Sequence, residues 1–395
     1  MKIIQANKYF YERRGAEKVM FMQIRGLEER GHQVFPFAMQ HSENLESPYS
    51  KYFVSNLETE NLRFKNIPKY LLRSFWSKET AVKLGQLIQE TKPNIFHGHN
   101  LYTQLSPSAL KVAKLNGLKT FLSIHDYGLV SANYALWSGT EPIDPHNLNF
   151  LKIVKSKYIK NSMLATAVLE SIVRLQKALK LYDHYTDRYL SVSESVKETL
   201  ILAGYPEQKI IVLPNPAENS VSIGGGFEAR DGVLFFGQVE KSKGIYTAVK
   251  ATKMARQKLF VAGNGDAVPS LNSFSHVKYL GRLSRPELQA IFSRVKIAIF
   301  PSEWSEPYSM AAIEAMSAGL PVIVSNRGGF PEMVDYGKAG IIVEPKNLNI
   351  WADNIEELCR DKRLWLHYRE LGLLRIAQRA NLENYLDRLE KIYQE

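Results

Sequence analysis

The stretch Pro301-Ser302-Glu303-Trp304-Ser305-Glu306-Pro307-Tyr308-Ser309-Met310-Ala311-Ala312-Ile313-Glu314-Ala315-Met316-Ser317-Ala318-Gly319-Leu320-Pro321 decides how this chain is read. Locally it is a loop followed by a helix. Pro307 suits a first helical turn, Gly319 a C-terminal cap and Pro321 a stop. Met310, Ile313 and Met316 recur at helical spacing and predict a buried face. Two features are left over. Glu314 interrupts a run of Ala, Ile and Met, where a desolvated, unpaired carboxylate is costly. The loop also follows the strand-like run Ile297 to Phe300, and open parallel sheets bind ligands beyond the carboxyl ends of their strands. The backbone N–H groups of Tyr308, Ser309 and Met310 would open the helix there and favour an anion.

Working outward, the same alternation of apolar run and amphipathic helix continues, the pattern of a parallel sheet covered by helices. Strands are expected at Lys2 to Gln5, His32 to Ala38, Asn94 to Gly98, Lys119 to Ile124, Arg188 to Val192 and Ile210 to Leu213. A helix is expected over Ala16 to Arg30, after a loop holding Arg14-Gly15. A second series runs through Gly232 to Phe236, Lys258 to Ala262, Val277 to Leu280, Ile297 to Phe300, Pro321 to Val324 and Gly340 to Val343. Between the two lies the Gly/Ser segment Asn219 to Gly226, a candidate linker. The fold class is α/β, two Rossmann-like domains facing a cleft. They are expected at 1–218 and 228–377, with a C-terminal helix at about 378–395 able to pack back on the first.

Apolar residues make up 45% and charged residues 23%, which suits a globular protein and excludes disorder as the theme. The formal net charge of +11 favours anionic partners. Cys359 is the sole cysteine, so an intrachain disulfide and a cysteine metal cluster are excluded. No apolar run approaches the roughly 18 residues of a membrane span, and the N-terminal run is too short for a signal peptide. The expectation is a cytoplasmic protein, with any membrane contact peripheral.

Glu306 and Glu314 stand eight positions apart, flanked by Phe300-Pro301-Ser302 and by Ser325-Asn326-Arg327-Gly328-Gly329-Phe330-Pro331-Glu332. This resembles the E-x7-E signature of glycosyltransferase family 4, of GT-B fold. Other segments follow the family in order. Arg14-Gly15-Ala16-Glu17 resembles its first-loop GGAE and His125-Asp126-Tyr127 its HDY segment. Gly237-Gln238-Val239-Glu240-Lys241-Ser242-Lys243-Gly244 resembles the GR…KG loop, and Gly263-Asn264-Gly265 follows. Arg14, Gln238 and Ser309 stand where the family usually has glycine, arginine and glycine.

The resemblance implies a retaining transfer of a sugar from a UDP- or GDP-sugar to a glycan or lipid-linked acceptor, in cell-surface polysaccharide assembly. Glu314 would accept from the ribose hydroxyls and Glu306 would hold the donor sugar. The other reading of Glu306 is a loop carboxylate that caps the helix. Lys243 would neutralise charge growing on the diphosphate. Gln238 would meet the donor only as a neutral amide, and Lys241, two positions before Lys243, is expected to replace part of the missing arginine's charge. Tyr308, Ser309 and Met310 would support phosphate and sugar through their N–H groups. Gly15 would allow close backbone approach to the phosphate, and His125 would contact the sugar near the reacting centre. His97 and His99 read either as structural groups or as lining the acceptor side. No cofactor and no metal is expected.

Cations interleave with aromatics at Arg63, Phe64, Lys65, Lys69, Tyr70, Arg73, Phe75, Trp76 and Lys78. Lys152, Lys155, Lys157 and Lys160 add charge beside Ile153, Val154, Ile159 and Leu164. Both segments suit an anionic membrane surface, or a solvated basic face on a packed helix. Competing readings are a non-catalytic accessory subunit and a nucleotide-sugar hydrolase or epimerase. A nicotinamide oxidoreductase is disfavoured because no G-x-G-x-x-G follows the first strand. Nucleic-acid binding is disfavoured for want of a recognisable motif.

Overall fold

The computed structural model describes residues 1–56, 67–217 and 226–395. The chain forms two compact units. One comprises Met1–Ser138, Asp144–Pro214 and Tyr385–Glu395; the other comprises Gly139–Ile143 and Asn215–Asn384. The linker expected from Asn219 falls, up to Gly225, outside the described residues.

The first unit holds a six-stranded parallel sheet of β1 (Lys2–Ala6), β2 (Gln33–Phe37), β3 (Ile95–Gly98), β4 (Lys119–Ile124), β5 (Arg188–Ser191) and β6 (Ile210–Val212), in the order β2-β1-β3-β4-β5-β6. Its strands are short apolar runs because both faces of a parallel sheet are covered. Ile3, Ile4, Phe96, Leu122 and Ile124 are fully enclosed. The Gly15–Glu29 helix follows β1 and buries Val19, Met20, Met22 and Leu27. Chain order runs outward in both directions from β1, which makes the gap between β1 and β3 the switch point where such sheets take ligands.

The second unit repeats the scheme with β7 (Val233–Gln238), β8 (Leu259–Asn264), β9 (Val277–Gly281), β10 (Ile297–Phe300), β11 (Val322–Ser325) and β12 (Ile341–Val343), in the order β12-β11-β10-β7-β8-β9. Alternate residues serve opposite faces. Val233 and Phe235 join one core with Val249, Trp351 and Ile355. Leu234 and Phe236 join the other with Ile313, Met316 and Phe330. The switch point of this sheet lies between β7 and β10.

The expected strands are all present, with ends shifted by a residue or two. Gly237 and Gln238, read as loop, belong to β7 because they keep pairing with Gly263 and Asn264. The decisive helix begins at Met310, not at Pro307. Ser309 stops the loop there by accepting from the Ala312 N–H through its own hydroxyl, at 3.3 Å.

Candidate functional site

In the second unit the loops after β7 and β10 flank the switch point, and they are strapped together. The Ser242 carbonyl accepts from the Glu303 and Trp304 N–H groups at 2.9 and 3.3 Å. Gly244, at φ +76°, packs so closely that a β-carbon would lie 1.9 Å from the Pro301 carbonyl oxygen. On the other side, the Gly329 N–H donates to the Glu306 carbonyl at 2.7 Å. Gly328, at φ +58°, leaves no room for a β-carbon against the Glu306 backbone. These glycines explain two motifs that the sequence presented only as resemblance: each lets one loop lie directly on another.

The strapping brings Lys243 and Glu306 together. The Lys243 ammonium donates to Glu306 Oε2 at 2.6 Å and sits 4.2 Å from the centre of the Trp304 ring. The Trp304 indole N–H donates to the same carboxylate oxygen at 2.8 Å. Glu306 is 7% exposed, so this charge is held by partners and not by water. It does not cap the helix; Ser309 does. Sequence reading gave Lys243 and Glu306 separate contacts and missed Trp304, because 63 residues separate the ion pair.

The remaining residues group around this pair. With Ser309 as cap and Met310 as first helical residue, the N–H groups of the opening turn have no intrahelical acceptor. The Tyr308 side chain is turned into the second core, where burial pushes its phenol well above the ordinary range. Glu314 is half-buried rather than enclosed, on the same helix as Met310. The expectation of a fully embedded carboxylate is corrected: its neighbours Ile313 and Ala315 face the core, whereas position 314 turns toward the surface. Gln238 ends β7, and Lys241 is exposed in the turn that leads to Lys243.

In the first unit, Gly15 opens the helix after β1, with the exposed Arg14 before it. The buried Glu17 carboxylate accepts from the Arg14 N–H at 3.1 Å and from Asn7 Nδ2 at 3.2 Å. Asn7 in turn accepts from the Asn100 N–H at 3.2 Å, so the loops after β1 and β3 are held together. His125 lies just beyond β4, half-buried, and its Nε2 is 2.9 Å from His99 Nδ1. Burial pushes the His125 imidazole down to about 4. Burial pushes the neighbouring Asp126 carboxyl up to about 6, against a hydrogen bond from the Gly128 N–H.

Of the two readings of His97 and His99, His97 takes the structural one. It is enclosed between Tyr393 Oη at 2.6 Å and Ser123 Oγ at 2.8 Å, and burial pushes it down to about 3. His99 is equally buried but touches His125. Among the described residues, no group of three or more His, Cys, Asp or Glu side chains is placed to hold a metal ion.

The basic segments need correction. Arg63, Phe64, Lys65 and the Lys69 side chain lie outside the described residues. Arg73 is no surface cation: it is 6% exposed and tied to Glu79 Oε2 at 3.0 Å, the Gln104 carbonyl and Ser55. The Trp76 ring carries the Lys111 ammonium at 5.3 Å. Lys152, Lys155, Lys157 and Lys160 are exposed, but Ile153 and Val154 are buried because the Phe150–Lys155 helix turns them inward. The exposed apolar residues nearby are Leu151, Met163 and Leu164. Among the described residues, no helix is long and apolar enough to cross a membrane.

Two parallel sheets with helices on both faces, each with ligand-type loops at its switch point, define a two-domain protein of the GT-B fold. The chain belongs to glycosyltransferase family 4, whose family model matches residues 13–220. A second model, glycosyl transferases group 1, matches residues 224–372. An uncharacterized glycosyltransferase of Methanocaldococcus jannaschii is 28% identical over 198 residues, which is 44% of this chain and 50% of that protein. The match thus spans half the length of that relative. An uncharacterized 42.6 kDa protein in the cps region of Klebsiella pneumoniae is 23% identical over 355 residues, 84% of this chain and 87% of that one. Among solved structures, HepE of Anabaena in complex with UDP-glucose is similar in fold, with a TM-score of 0.69 at 16% identity over 100% of this chain and 99% of that chain.

Proposed function

We propose that this chain is a retaining glycosyltransferase that moves a sugar from a nucleotide-diphosphate sugar to a glycan or lipid-linked acceptor in cell-surface polysaccharide assembly. The observation that carries the reading is the Lys243–Glu306–Trp304 cluster, built from two strapped loops at the switch point of the second sheet. A leaving diphosphate needs a preorganised cation, and Lys243 is held in place by Glu306 before any ligand arrives. The Met310 and Ala311 N–H groups, which have no intrahelical acceptor while Ser309 takes that of Ala312, add a second site for negative charge. The same Glu306 carboxylate keeps acceptor capacity for sugar hydroxyls, and Glu314 serves the ribose. A neighbour of the same fold binds UDP-glucose, which supports a UDP-sugar as donor.

Retention follows from attack on the face that the leaving group departs from. The bond between the anomeric carbon and the phosphate oxygen breaks, the acceptor oxygen bonds to that carbon, and the acceptor proton passes to the departing phosphate. Lys243 stabilises the charge on the diphosphate, and no side-chain base is required. The first test is a thermal-shift panel of UDP-, GDP- and ADP-sugars, because a ligand of the folded state alone raises apparent stability. The donor that shifts the melting point is then used for transfer, and proton NMR of the product should show the donor's anomeric configuration. Inverted product would refute retention, and a panel without any shift would refute the donor site.

The first unit is proposed to rest on an anionic membrane at the cytoplasmic face. Exposed Leu151 and Leu164 beside Lys152, Lys155, Lys157 and Lys160 combine apolar insertion with charge attraction. Flotation with liposomes should show binding that rises with anionic lipid, and equal binding to neutral vesicles would count against it.

A further inference from the structure

We propose that His99 is a positioning residue that fixes the tautomer of His125, so that His125 presents a bare Nδ1 lone pair to a hydroxyl of the donor sugar. The inference rests on the glycosyltransferase reading for its ligand, but its wiring stands on geometry alone. The chain of hydrogen bonds starts at Gln5 on β1. Gln5 Nε2 donates to Gln23 Oε1 at 3.0 Å, and Gln23 Nε2 donates to Tyr385 Oη on the C-terminal helix at 2.6 Å. Gln5 and Gln23 are enclosed, at 1% and 0% exposure, so these amides are held by one another and not by water.

With its amino group so engaged, Gln5 turns its carbonyl oxygen to His99 Nε2 at 2.8 Å. An amide oxygen only accepts, so His99 Nε2 carries the proton. Burial holds His99 neutral, well below the ordinary imidazole range. A neutral imidazole has one N–H, so His99 Nδ1 is an acceptor. Its partner at 2.9 Å, His125 Nε2, must donate. The two ring planes lie within 13° of each other with centres 5.2 Å apart, which suits a bond in the plane of both rings. His125 is neutral as well, so its own Nδ1 is left with a lone pair. That atom is buried and, among the described residues, has no hydrogen-bond partner.

A buried acceptor without a donor is rare in folded proteins and calls for an explanation. A sugar hydroxyl supplies the missing donor. The polarity matters, because in the other tautomer His125 would offer an N–H and the hydroxyl would be left to donate elsewhere. The relay therefore runs from Gln5 through His99 and His125 to the sugar, with Gln23 Oε1 holding the Gln5 amino group and Tyr385 Oη accepting from Gln23. His97 meets the relay only at its start: Tyr393 Oη, which lies 2.6 Å from His97 Nδ1, also accepts from Gln5 Nε2 at 3.4 Å, and His97 Nε2 is taken by Ser123.

The test uses full-length protein labelled with 15N-histidine. In ligand-free wild type, His125 should show a pyridine-type Nδ1 and a pyrrole-type Nε2, with the signals assigned by their loss in His125→Ala. A pyrrole-type Nδ1 would overturn the proposal without any variant. In His99→Leu the His125 signals should move toward a mixture of tautomers, and kcat should fall roughly 10–100-fold, the range for partners that orient an imidazole. Donor affinity should change little. His99→Asn keeps an acceptor oxygen near the place of Nδ1 and should restore most of kcat and the His125 signals. Unchanged His125 signals in His99→Leu would overturn the role of His99. If no nucleotide sugar binds while the wild-type spectrum is as expected, the donor reading fails and the wiring stands.

Discussion

Each proposed role at the residue scale rests on a contact made before substrate arrives. Lys243 donates to Glu306 at 2.6 Å, so Lys243→Ala removes the diphosphate partner and leaves a buried carboxylate held, among the described residues, by the Trp304 N–H. Turnover should drop roughly 100–1000-fold, the usual effect of losing one preorganised charge-stabilising group. Gln238 offers a neutral amide where relatives carry a guanidinium, and Lys241 is exposed three positions further on. Lys241→Ala should lower turnover by less than Lys243→Ala does, and Gln238→Arg should restore it. Full activity in Lys241→Ala would make Lys241 an ordinary solvated lysine. His125→Ala should leave donor affinity intact and lower kcat, since it acts mainly near the reacting centre; full turnover would return His125 to a structural role. The resemblance to the family's motifs made Glu306, Glu314, Lys243 and His125 legible as candidates in the sequence. Their partners were not legible, because the Lys243–Glu306 and His99–His125 contacts span 63 and 26 residues. Arg73 misled for a different reason: Glu79 is only six residues on, but interleaved cations and aromatics do not show which way a guanidinium turns.

Among the elements, the strands were readable because parallel strands covered on both faces are short apolar runs, as in Ile297–Phe300 and Lys119–Ile124. The loops were less so. Gly244 and Gly31 look alike in sequence and both adopt positive φ, at +76° and +81°, yet their surroundings differ. A β-carbon at Gly31 meets nothing within 4 Å, whereas at Gly244 it meets the Pro301 carbonyl oxygen at 1.9 Å. Gly31→Ala should therefore cost about 1–2 kcal/mol, the strain of a left-handed conformation alone. Gly244→Ala should cost more in urea unfolding and should also weaken donor affinity, because it forces the Lys243 loop off the Glu306 loop. Equal stability losses with unchanged affinity would show that the strapping of the two loops is incidental. The start of the Met310–Ser317 helix was misplaced for a related reason: Pro307 is permitted in a first turn, but the Ser309 hydroxyl takes the cap.

For the whole molecule, the buried polar relay makes stability depend on pH. His97 and His125 fall from the ordinary 6.5 to about 3 and about 4, and His99 falls as well. Below 6.5 the unfolded chain binds protons that the native state refuses, so stability is lost as pH falls toward those folded values. Each histidine contributes a slope of about 1.4 kcal/mol per pH unit in that window. Asp126, raised from 3.8 to about 6, acts in the opposite sense between those values and offsets one of them. Urea midpoints should fall clearly between pH 7 and pH 5, and a flat profile would mean that these imidazoles are not held neutral. The central claim remains the donor site of the second unit, and calorimetric titration tests it most directly. The nucleotide sugar selected by thermal shift should bind the wild-type chain, and Glu314→Ala should weaken it by roughly 1.5–3 kcal/mol, the worth of a hydrogen bond to a charged group at this half-buried position. Unchanged affinity in that variant would contradict the account.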